Sequence, residues 1–303
     1  MDWTPSWAPA PDSGITVRMQ EAGGLRFELA EMGAGDHLAL CLHGFPELSF
    51  SWRFQMPLLA GLGYRVWAPN LRGYGASSRP VGVDAYAIES LLGDMAALID
   101  ASGAKRVTLI AHDWGGALAW MFAIRKIRPI ERLVVMNLPH PARFAEGLKT
   151  WKQRRKSWYI AFFQLPWLPE AMLTRNRAAA IRRMFRGMAI DKTRSPADVL
   201  DVYANAALRP GAATAMVNWY RAAARGGKGA LGRGKPVVDV PTLVVWGDED
   251  AALGVELLDG TERFVPDLTI RRLPGVSHWV QQEAPEAVNA ILEEWLPHPI
   301  RSS

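Results

Sequence analysis

This 303-residue sequence has only one cysteine and lacks both long apolar runs and a signal-like N-terminus. Its single cysteine, Cys41, cannot form an internal disulfide, which fits a reducing compartment, and its apolar setting in LALCLHG predicts a small buried residue. No window approaches the roughly 18 apolar residues that a membrane span requires. The N-terminus, MDWTPSWAPAPDSG, has no apolar core and therefore does not resemble a secretory signal. These absences predict a cytoplasmic enzyme or binding protein without a membrane span.

Acidic residues are scarce in one segment only. Residues 140–235 contain 19 Lys and Arg against 5 Asp and Glu, a net charge of +14, whereas the whole chain carries +5. A nucleic-acid-binding surface would need these charges beside exposed aromatic side chains in a known binding motif, and none is evident. We therefore interpret the segment as a solvated, arginine-rich helical surface and expect no nucleic-acid partner.

The order of apolar patterns predicts a mostly parallel α/β fold. Short, continuous apolar runs such as LALCLHG, RVTLIAH and TLVVWGDED are typical of strands that are covered on both faces. Helical patterns lie between several of them, as in βαβ units. Strand-like runs disappear between Pro139 and Pro236, so we predict a first core part (1–138), a helical lid insertion (139–236) that ends in the loose segment RGGKGALGRGKP, and a second core part (237–303).

The stretch IAHDWGG, residues 110–116, places Asp113 at the turn between a predicted strand and a predicted helix. Functional groups of open α/β sheets collect at the carboxyl ends of the strands, and small flanking residues let a tight turn hold its central residue exposed. Ala111, Asp113 and Gly115 match this pattern of small-x-nucleophile-x-small. The alternative is that Asp113 caps the helix that follows.

Three other predicted strands end in residues that suit the same chemistry. LHGFPE can direct the amide of Phe45 toward the Asp113 turn, where it and the amide of Trp114 would form a two-donor oxyanion hole. GDED and PGVSHW follow two later strands and supply an acid and His278. The chain order nucleophile, acid, histidine is that of a known hydrolytic triad. Asp250 is the candidate acid, and Asp248, two residues earlier, is its rival.

Together, HGFPE, LRGYGASS, HDWGG, GDED and SHW resemble the motifs of the α/β-hydrolase superfamily, and most of all those of its epoxide hydrolases, over nearly the whole chain. The resemblance implies an α/β-hydrolase fold with flanking helices and a helical lid. It also implies that Tyr159 in WYIAFFQLP and Tyr220 in NWYRAAARG are the two ring-opening tyrosines of the lid, whereas Tyr203 matches neither motif.

The same resemblance selects one acid and shows two departures from the family pattern. The family spacing G-x-x-D, counted from Gly247, selects Asp250. Ala111 replaces the commoner glycine before the nucleophile turn, which a small side chain should tolerate. Asn70 replaces the aspartate that often precedes LRGYG, which leaves the polar anchoring of that loop open without touching a candidate catalytic residue.

An aspartate nucleophile suits attack on a saturated carbon. A serine would form an ether there, which water does not remove, whereas the Asp113 carboxylate forms an alkyl ester that His278 can open by directing water onto its carbonyl carbon. Asp250 would orient His278. Phenols with a pKa of about 10 can protonate the alkoxide of an opened epoxide, so Tyr159 and Tyr220 favour an epoxide over a halide. We expect a small-molecule epoxide as the substrate and no cofactor or metal.

Two alternatives remain open. A haloalkane or haloacetate dehalogenase would use the same Asp-His-Asp machinery, with the indole of Trp114 as a halide donor. Haloalkane dehalogenases usually carry a second donor where this chain has Phe45, and fluoroacetate dehalogenases carry arginines where it has Trp114 and Ala117. A non-catalytic ligand-binding protein on the same fold is the second alternative, although such proteins tend to lose a catalytic residue. A homodimer is compatible with the sequence.

Overall fold

Eight strands form one sheet in the computed structural model, which describes residues 3–226 and 235–297. The order across the sheet is β1-β2-β4-β3-β5-β6-β7-β8. β2 runs antiparallel to both β1 and β4, and the remaining neighbours are parallel, which confirms the predicted mostly parallel sheet. The strands are β1 (Thr16–Ala22), β2 (Leu25–Met32), β3 (His37–Leu42), β4 (Arg65–Pro69), β5 (Arg106–His112), β6 (Arg132–Met136), β7 (Thr242–Gly247) and β8 (Leu268–Leu273).

Helices cover both faces of this sheet. Side chains of α2 and α3 pack in one buried cluster with alternate residues of β3, and side chains of α1 and α11 pack in a second cluster with the others. The described helices are α1 (Gln55–Gly61), α2 (Ile88–Ser102), α3 (Asp113–Ile124), α4 (Pro141–Gly147), α5 (Trp151–Lys156), α6 (Trp158–Phe162), α7 (Leu168–Met188), α8 (Ala197–Ala207), α9 (Ala212–Arg225), α10 (Val280–Glu283) and α11 (Pro285–Trp295).

Burial on both faces explains the continuous apolar runs. Leu40 and Leu42 of β3 belong to the first cluster, whereas Ala39 and Cys41 point to the second, as the two-residue period of a strand requires. All four are fully buried. A strand with one solvated face would alternate with polar residues, so LALCL is the expected pattern for the middle of such a sheet. The predicted burial of Cys41 is confirmed.

Six helices, α4 to α9, lie between β6 and β7, in the interval where the sequence predicts a helical insertion. The described part of that interval contains no strand. Helix α7 is interrupted at residues 175–178, and Asn176, Arg177 and Ala178 adopt left-handed φ angles of 51–59°. Residues 227–234, most of RGGKGALGRGKP, lie outside the described residues, so the boundaries 139–236 stay a prediction.

The insertion lies over the carboxyl ends of the strands and is bonded to the loops there. The indole of Trp219 in α9 donates to the Arg72 carbonyl oxygen at 3.1 Å, and Lys156 of α5 donates to the Asp250 carbonyl oxygen at 2.7 Å. Backbone amides of Ile190 and Asp191 donate to Glu283 at 2.7 Å each. Among the residues described, no helix has both the length and the apolar character that crossing a bilayer would need.

Candidate active site

Asp113 lies at the turn between β5 and α3 in a left-handed backbone conformation, with φ 47°. Non-glycine residues are uncommon in this region, and close packing around functional turns is what holds them there. A Cβ atom on Gly115 would clash with the carbonyl oxygen of Leu42, and one on Gly44 would clash with the Asp113 side chain. Glycine is therefore required at both positions for β3, β5 and α3 to meet this closely.

The Asp113 carboxylate faces the neighbouring strand end. Its Oδ1 accepts a hydrogen bond of 2.8 Å from the Phe45 backbone amide. This geometry argues against a capping role, since α3 begins at Asp113 itself and its N-cap residue, His112, makes no side-chain cap. The Trp114 amide belongs to the first turn of α3, where helix amides lack an intrahelical acceptor. Of the two predicted oxyanion donors, the Phe45 amide is thus hydrogen-bonded to Asp113, and the Trp114 amide belongs to the next residue in the chain.

His278, on the loop after β8, lies between two carboxylates. Its Nε2 is 3.6 Å from Asp113 Oδ2, and its Nδ1 is 2.7 Å from Asp250 Oδ2. Asp250 is fixed in turn, because Oδ2 accepts from the Asn137 side chain at 2.8 Å and Oδ1 accepts from the backbone amides that follow, at 2.7 and 2.9 Å. The rival acid, Asp248, instead pairs with the exposed Arg272 at 2.9 Å. The structure therefore brings Asp250, and not Asp248, to the histidine.

Charge couples these three side chains. Burial by itself lowers the pKa of His278, but the charges and hydrogen bonds of Asp250 and Asp113 outweigh it and hold that pKa well above its usual value. Burial would raise the pKa of Asp113, and the hydrogen bond and charge of His278 reverse this, so the pKa of Asp113 is lowered. The pKa of Asp250 is lowered for the same reasons. Both acids are ionised and the histidine is a cation in the ligand-free site.

The two predicted lid tyrosines lie together above this arrangement. Tyr159 of α6 and Tyr220 of α9 have ring centroids 6.0 Å apart, and Tyr220 packs edge-on against Phe45 at 5.2 Å. Burial raises the pKa of Tyr159, and that of Tyr220, well above the usual value of 10.0, with the Asp113 charge adding to both shifts. Both phenols therefore keep their protons at neutral pH and are available as hydrogen-bond donors.

A cavity of about 460 Å³ joins these groups. Asp113, His278, Tyr159, Tyr220 and Phe45 line it, and Asp250 supports His278 from behind. The Trp114 indole is not among the described lining groups; it packs against Trp219 and Tyr220, at 5.6 and 5.0 Å between ring centroids. Most of the remaining wall is apolar and includes Trp158, Phe162, Phe163, Met172, Met184 and Met188.

Comparisons with known proteins agree with this geometry. A family model for the α/β-hydrolase fold matches residues 40–285. YfhM of Bacillus subtilis (strain 168), an AB hydrolase superfamily protein, is 36% identical over 285 residues, which cover 93% of this chain and 98% of the relative. Epoxide hydrolase 2 of Caenorhabditis elegans is 36% identical over 278 residues, which cover 90% of this chain and 77% of the relative. This chain belongs to the epoxide hydrolase family.

A solved structure of the family has the same architecture. The crystal structure of Bacillus megaterium epoxide hydrolase with an inhibitor superposes with a TM-score of 0.84 at 30% identity, covering 91% of this chain and 99% of that one. The α/β-hydrolase fold predicted from the motifs is confirmed.

Beneath Asp113 of this epoxide hydrolase family member lies a buried polar network that the sequence analysis missed. Glu47 accepts from the Gly44 amide at 2.9 Å, from His112 Nδ1 at 2.6 Å, and from the side-chain amides of Gln281 and Gln282 at 2.9 and 2.7 Å. Four donors on two oxygens fit an ionised carboxylate, and the His112 charge lowers the pKa of Glu47 against the effect of burial, which raises it.

The same network reaches the loops that carry His278 and Phe45. His112 Nε2 donates to the His278 carbonyl oxygen at 2.8 Å, so the loop of the histidine and the loop of Phe45 are bonded to one buried pair. Tyr203, the lid tyrosine that matches neither motif, donates to Gln282 at 2.5 Å and is fully buried. Glu47 and His112 stand inside HGFPE and HDWGG, so the motifs themselves contained the signal.

The two departures from the family pattern are accommodated without strain at the site. Ala111 is fully buried in β5, where a methyl group fits the core. The Asn70 side chain accepts from the Ser49 amide and donates to Glu28, both at 2.7 Å. An amide can donate and accept at once, which a carboxylate cannot, and Asn70 thereby anchors the loop that the sequence left open.

Proposed function

We propose that this protein hydrolyses an epoxide to a vicinal diol through an alkyl ester on Asp113. The observation that carries the proposal is the shared cavity, in which a carboxylate at a strained turn, a histidine and two buried phenols face one mostly apolar space. Membership of the epoxide hydrolase family supports the same reaction.

In the first step Asp113 opens the ring. Oδ1 is held by the Phe45 amide, so Oδ2, which lies 3.6 Å from His278 Nε2, is the oxygen that attacks a ring carbon and forms the ester bond. The ring C–O bond breaks, and the oxygen takes a proton from Tyr159 or Tyr220 while the other phenol hydrogen-bonds it. Phenols with raised pKa values are protonated at neutral pH, which suits them to donate only when a strongly basic alkoxide develops.

In the second step His278 directs water onto the ester. Esterification removes the charge of Asp113, one of the two anions that raise the pKa of His278, so this pKa falls and the imidazolium passes its Nε2 proton to the tyrosinate formed in the first step. Water loses a proton to Nε2 and attacks the carbonyl carbon, and the oxyanion develops on Oδ1 beside the amides of Phe45 and Trp114. The ester bond breaks, the diol oxygen takes the proton of the regenerated Asp113 carboxylic acid, and the site returns to an ionised Asp113 beside a protonated His278.

Isotope labelling tests the covalent route. In a single turnover in ¹⁸O-water, the first diol should contain unlabelled oxygen from Asp113, and the label should enter the Asp113 carboxylate. Label in the first diol would show direct attack by water and reject the ester.

Trapping tests the role of the histidine. His278→Gln should accumulate the ester on Asp113, visible as a mass increase equal to that of the epoxide, and Asp113→Asn should show none. Turnover by the His278 variant without an adduct would reject His278 as the hydrolytic base.

Haloalkanes and fluoroacetate serve as controls for the dehalogenase alternative, which lacks support from Trp114 because its indole does not line the cavity. Binding of epoxides without turnover would favour the ligand-binding alternative.

A further inference from the structure

Two cationic side chains line the cavity and have no part in the proposed reaction. Lys156 and Arg183 are both described lining residues, and Asp113 is the one carboxylate among them. Asp113 is already engaged by the Phe45 amide and faces His278. The other wall groups are mostly apolar, so the cavity offers positive charge in excess of what its own chemistry uses.

Arg183 marks the place where the cavity meets solvent. It is exposed yet lines the cavity, as does Trp158, whose exposed fraction is 63%. Its guanidinium makes one long hydrogen bond, 3.4 Å from Nε to the Ala179 carbonyl oxygen, and no described carboxylate pairs with it. Its terminal nitrogens therefore form a donor fork at the mouth of the cavity.

Neighbouring arginines of the insertion do have acidic partners. Arg182 pairs with Asp201 at 2.5 Å, and Arg221 pairs with Glu170 at 2.6 Å. Asp201 and Glu170 thus form their ion pairs with arginines that are not among the described lining residues of the cavity. Arg183 differs from these paired arginines in both respects, because it lacks a described acidic partner and borders the cavity.

Lys156 occupies a more fixed position. Its ammonium group donates to the Asp250 carbonyl oxygen at 2.7 Å and, more weakly, to the Leu253 carbonyl oxygen at 3.5 Å. These carbonyl oxygens hold Lys156 against the loop of Asp250 without neutralising the charge of the lysine. Lys156 therefore adds positive potential to the wall, whereas Arg183 remains free to bind a ligand.

We propose that the preferred substrate is an apolar epoxide carrying a carboxylate at the end remote from the ring, and that Arg183 binds this carboxylate at the cavity mouth. The inference rests on the proposed function. A guanidinium matches a carboxylate with two parallel hydrogen bonds, and the apolar wall suits the hydrocarbon or aryl portion between the two ends. The ionised Asp113 repels a carboxylate from the bottom of the cavity, so charge orients the substrate with its epoxide inward.

The test compares matched acid and ester substrates. A series of ω-epoxyalkanoates of increasing chain length and their methyl esters is assayed with the wild type, Arg183→Gln and Arg186→Gln. Arg186 is the matched control, since it lies three residues further along α7, is exposed, and is not among the described lining residues. Both variants remove the same charge from the same helix.

For the wild type we expect kcat/KM to favour the acid over its ester by about five-fold or more at the optimal chain length, as a charge-assisted pair at a partly exposed site allows. Arg183→Gln should bring this acid-to-ester ratio close to one, mainly through KM of the acid, and Arg183→Lys should restore part of it. Arg186→Gln should keep the wild-type ratio.

Two results overturn the inference while leaving the proposed function intact: a wild-type ratio near one at every chain length, or equal losses in Arg183→Gln and Arg186→Gln, which would indicate a diffuse field instead of a site. If neither acids nor esters are hydrolysed and no adduct forms on Asp113, the proposed function fails and the inference fails with it.

Discussion

At the scale of single residues, the proposal of an epoxide substrate instead of a halide depends on the two lid phenols as proton donors. Replacing Tyr159 or Tyr220 by Phe should lower kcat/KM for an epoxide by about 10- to 100-fold, and the double variant by about 10²- to 10⁴-fold, the range of general-acid catalysis. The measurement is the rate of ester formation in a single turnover. Tyr86→Phe is the matched control, because Tyr86 is buried, donates to the Pro80 carbonyl oxygen at 2.9 Å and is not a described lining residue. Full activity of the double variant would reject the phenols as proton donors.

Comparing variants of Asp250 and Asp248 tests which of the two acids acts on His278. Asp250→Asn should slow ester hydrolysis by about 10²- to 10⁴-fold and accumulate the adduct on Asp113. Removing this anion also lowers the pKa of His278, so the pH at which ester hydrolysis rises should shift downward. Asp248→Asn breaks only the pair with the exposed Arg272 and should change turnover less than about two-fold. Equal losses in both variants would contradict the assignment.

At the scale of elements, the nucleophile turn depends on space that a methyl group would fill. Gly115→Ala should lower the free energy of unfolding by about 1–3 kcal/mol, since the new Cβ meets backbone atoms of β3 that cannot swing away. Gly93→Ala is the matched change in the interior of α2, where a Cβ meets nothing within 4 Å, and should stabilise by about 0.5–1 kcal/mol. Chemical denaturation measures both. A Gly115 variant as stable as the wild type would show that the turn has room to relax.

The elements also show what the sequence could predict and where it failed. Apolar runs and glycine turns predicted the sheet and the positions of Asp113, Asp250 and His278, because strand ends of a parallel sheet meet at one edge. The break in α7 was not predicted: residues 175–178 contain neither Gly nor Pro, and Ala178 is fully buried, so packing overrides helix propensity there. The Glu47–His112 pair was missed because it joins segments far apart in the chain, and no periodicity reports such a contact.

At the scale of the whole molecule, charge is divided between the sheet and the insertion. The insertion carries the basic excess and covers the strand ends, where the ionised Asp113 and Asp250 lie. A negative site beneath a positive lid gives the cavity a charge gradient from its mouth to Asp113. In the proposed reaction, this division lets the chain attract an anionic group at the opening while a carboxylate attacks at the bottom.

Stability of the whole fold should fall on mild acidification. Burial lowers the pKa of His37, and that of His43 and of His140, from 6.5 to about 4. Between about pH 6.5 and 4 the unfolded chain therefore binds more protons than the native one, and the free energy of unfolding decreases as the pH falls, on the order of a few kcal/mol per histidine. His278 acts outside this window: its raised pKa adds stability as the pH falls toward about 6.5, and below that pH its contribution is constant, so it does not offset the loss from the three histidines.

Urea midpoints measured from pH 7 to 4.5 test whether the free energy of unfolding falls as the pH falls. The double variant His37→Gln with His140→Gln should show a flatter pH dependence of the midpoint than the wild type, whatever its absolute stability. The slope is the decisive quantity, because losing the 2.9 Å bond from His37 to Thr108 lowers stability at every pH alike. A wild-type midpoint that rises on acidification would mean that these histidines are protonated in the native state.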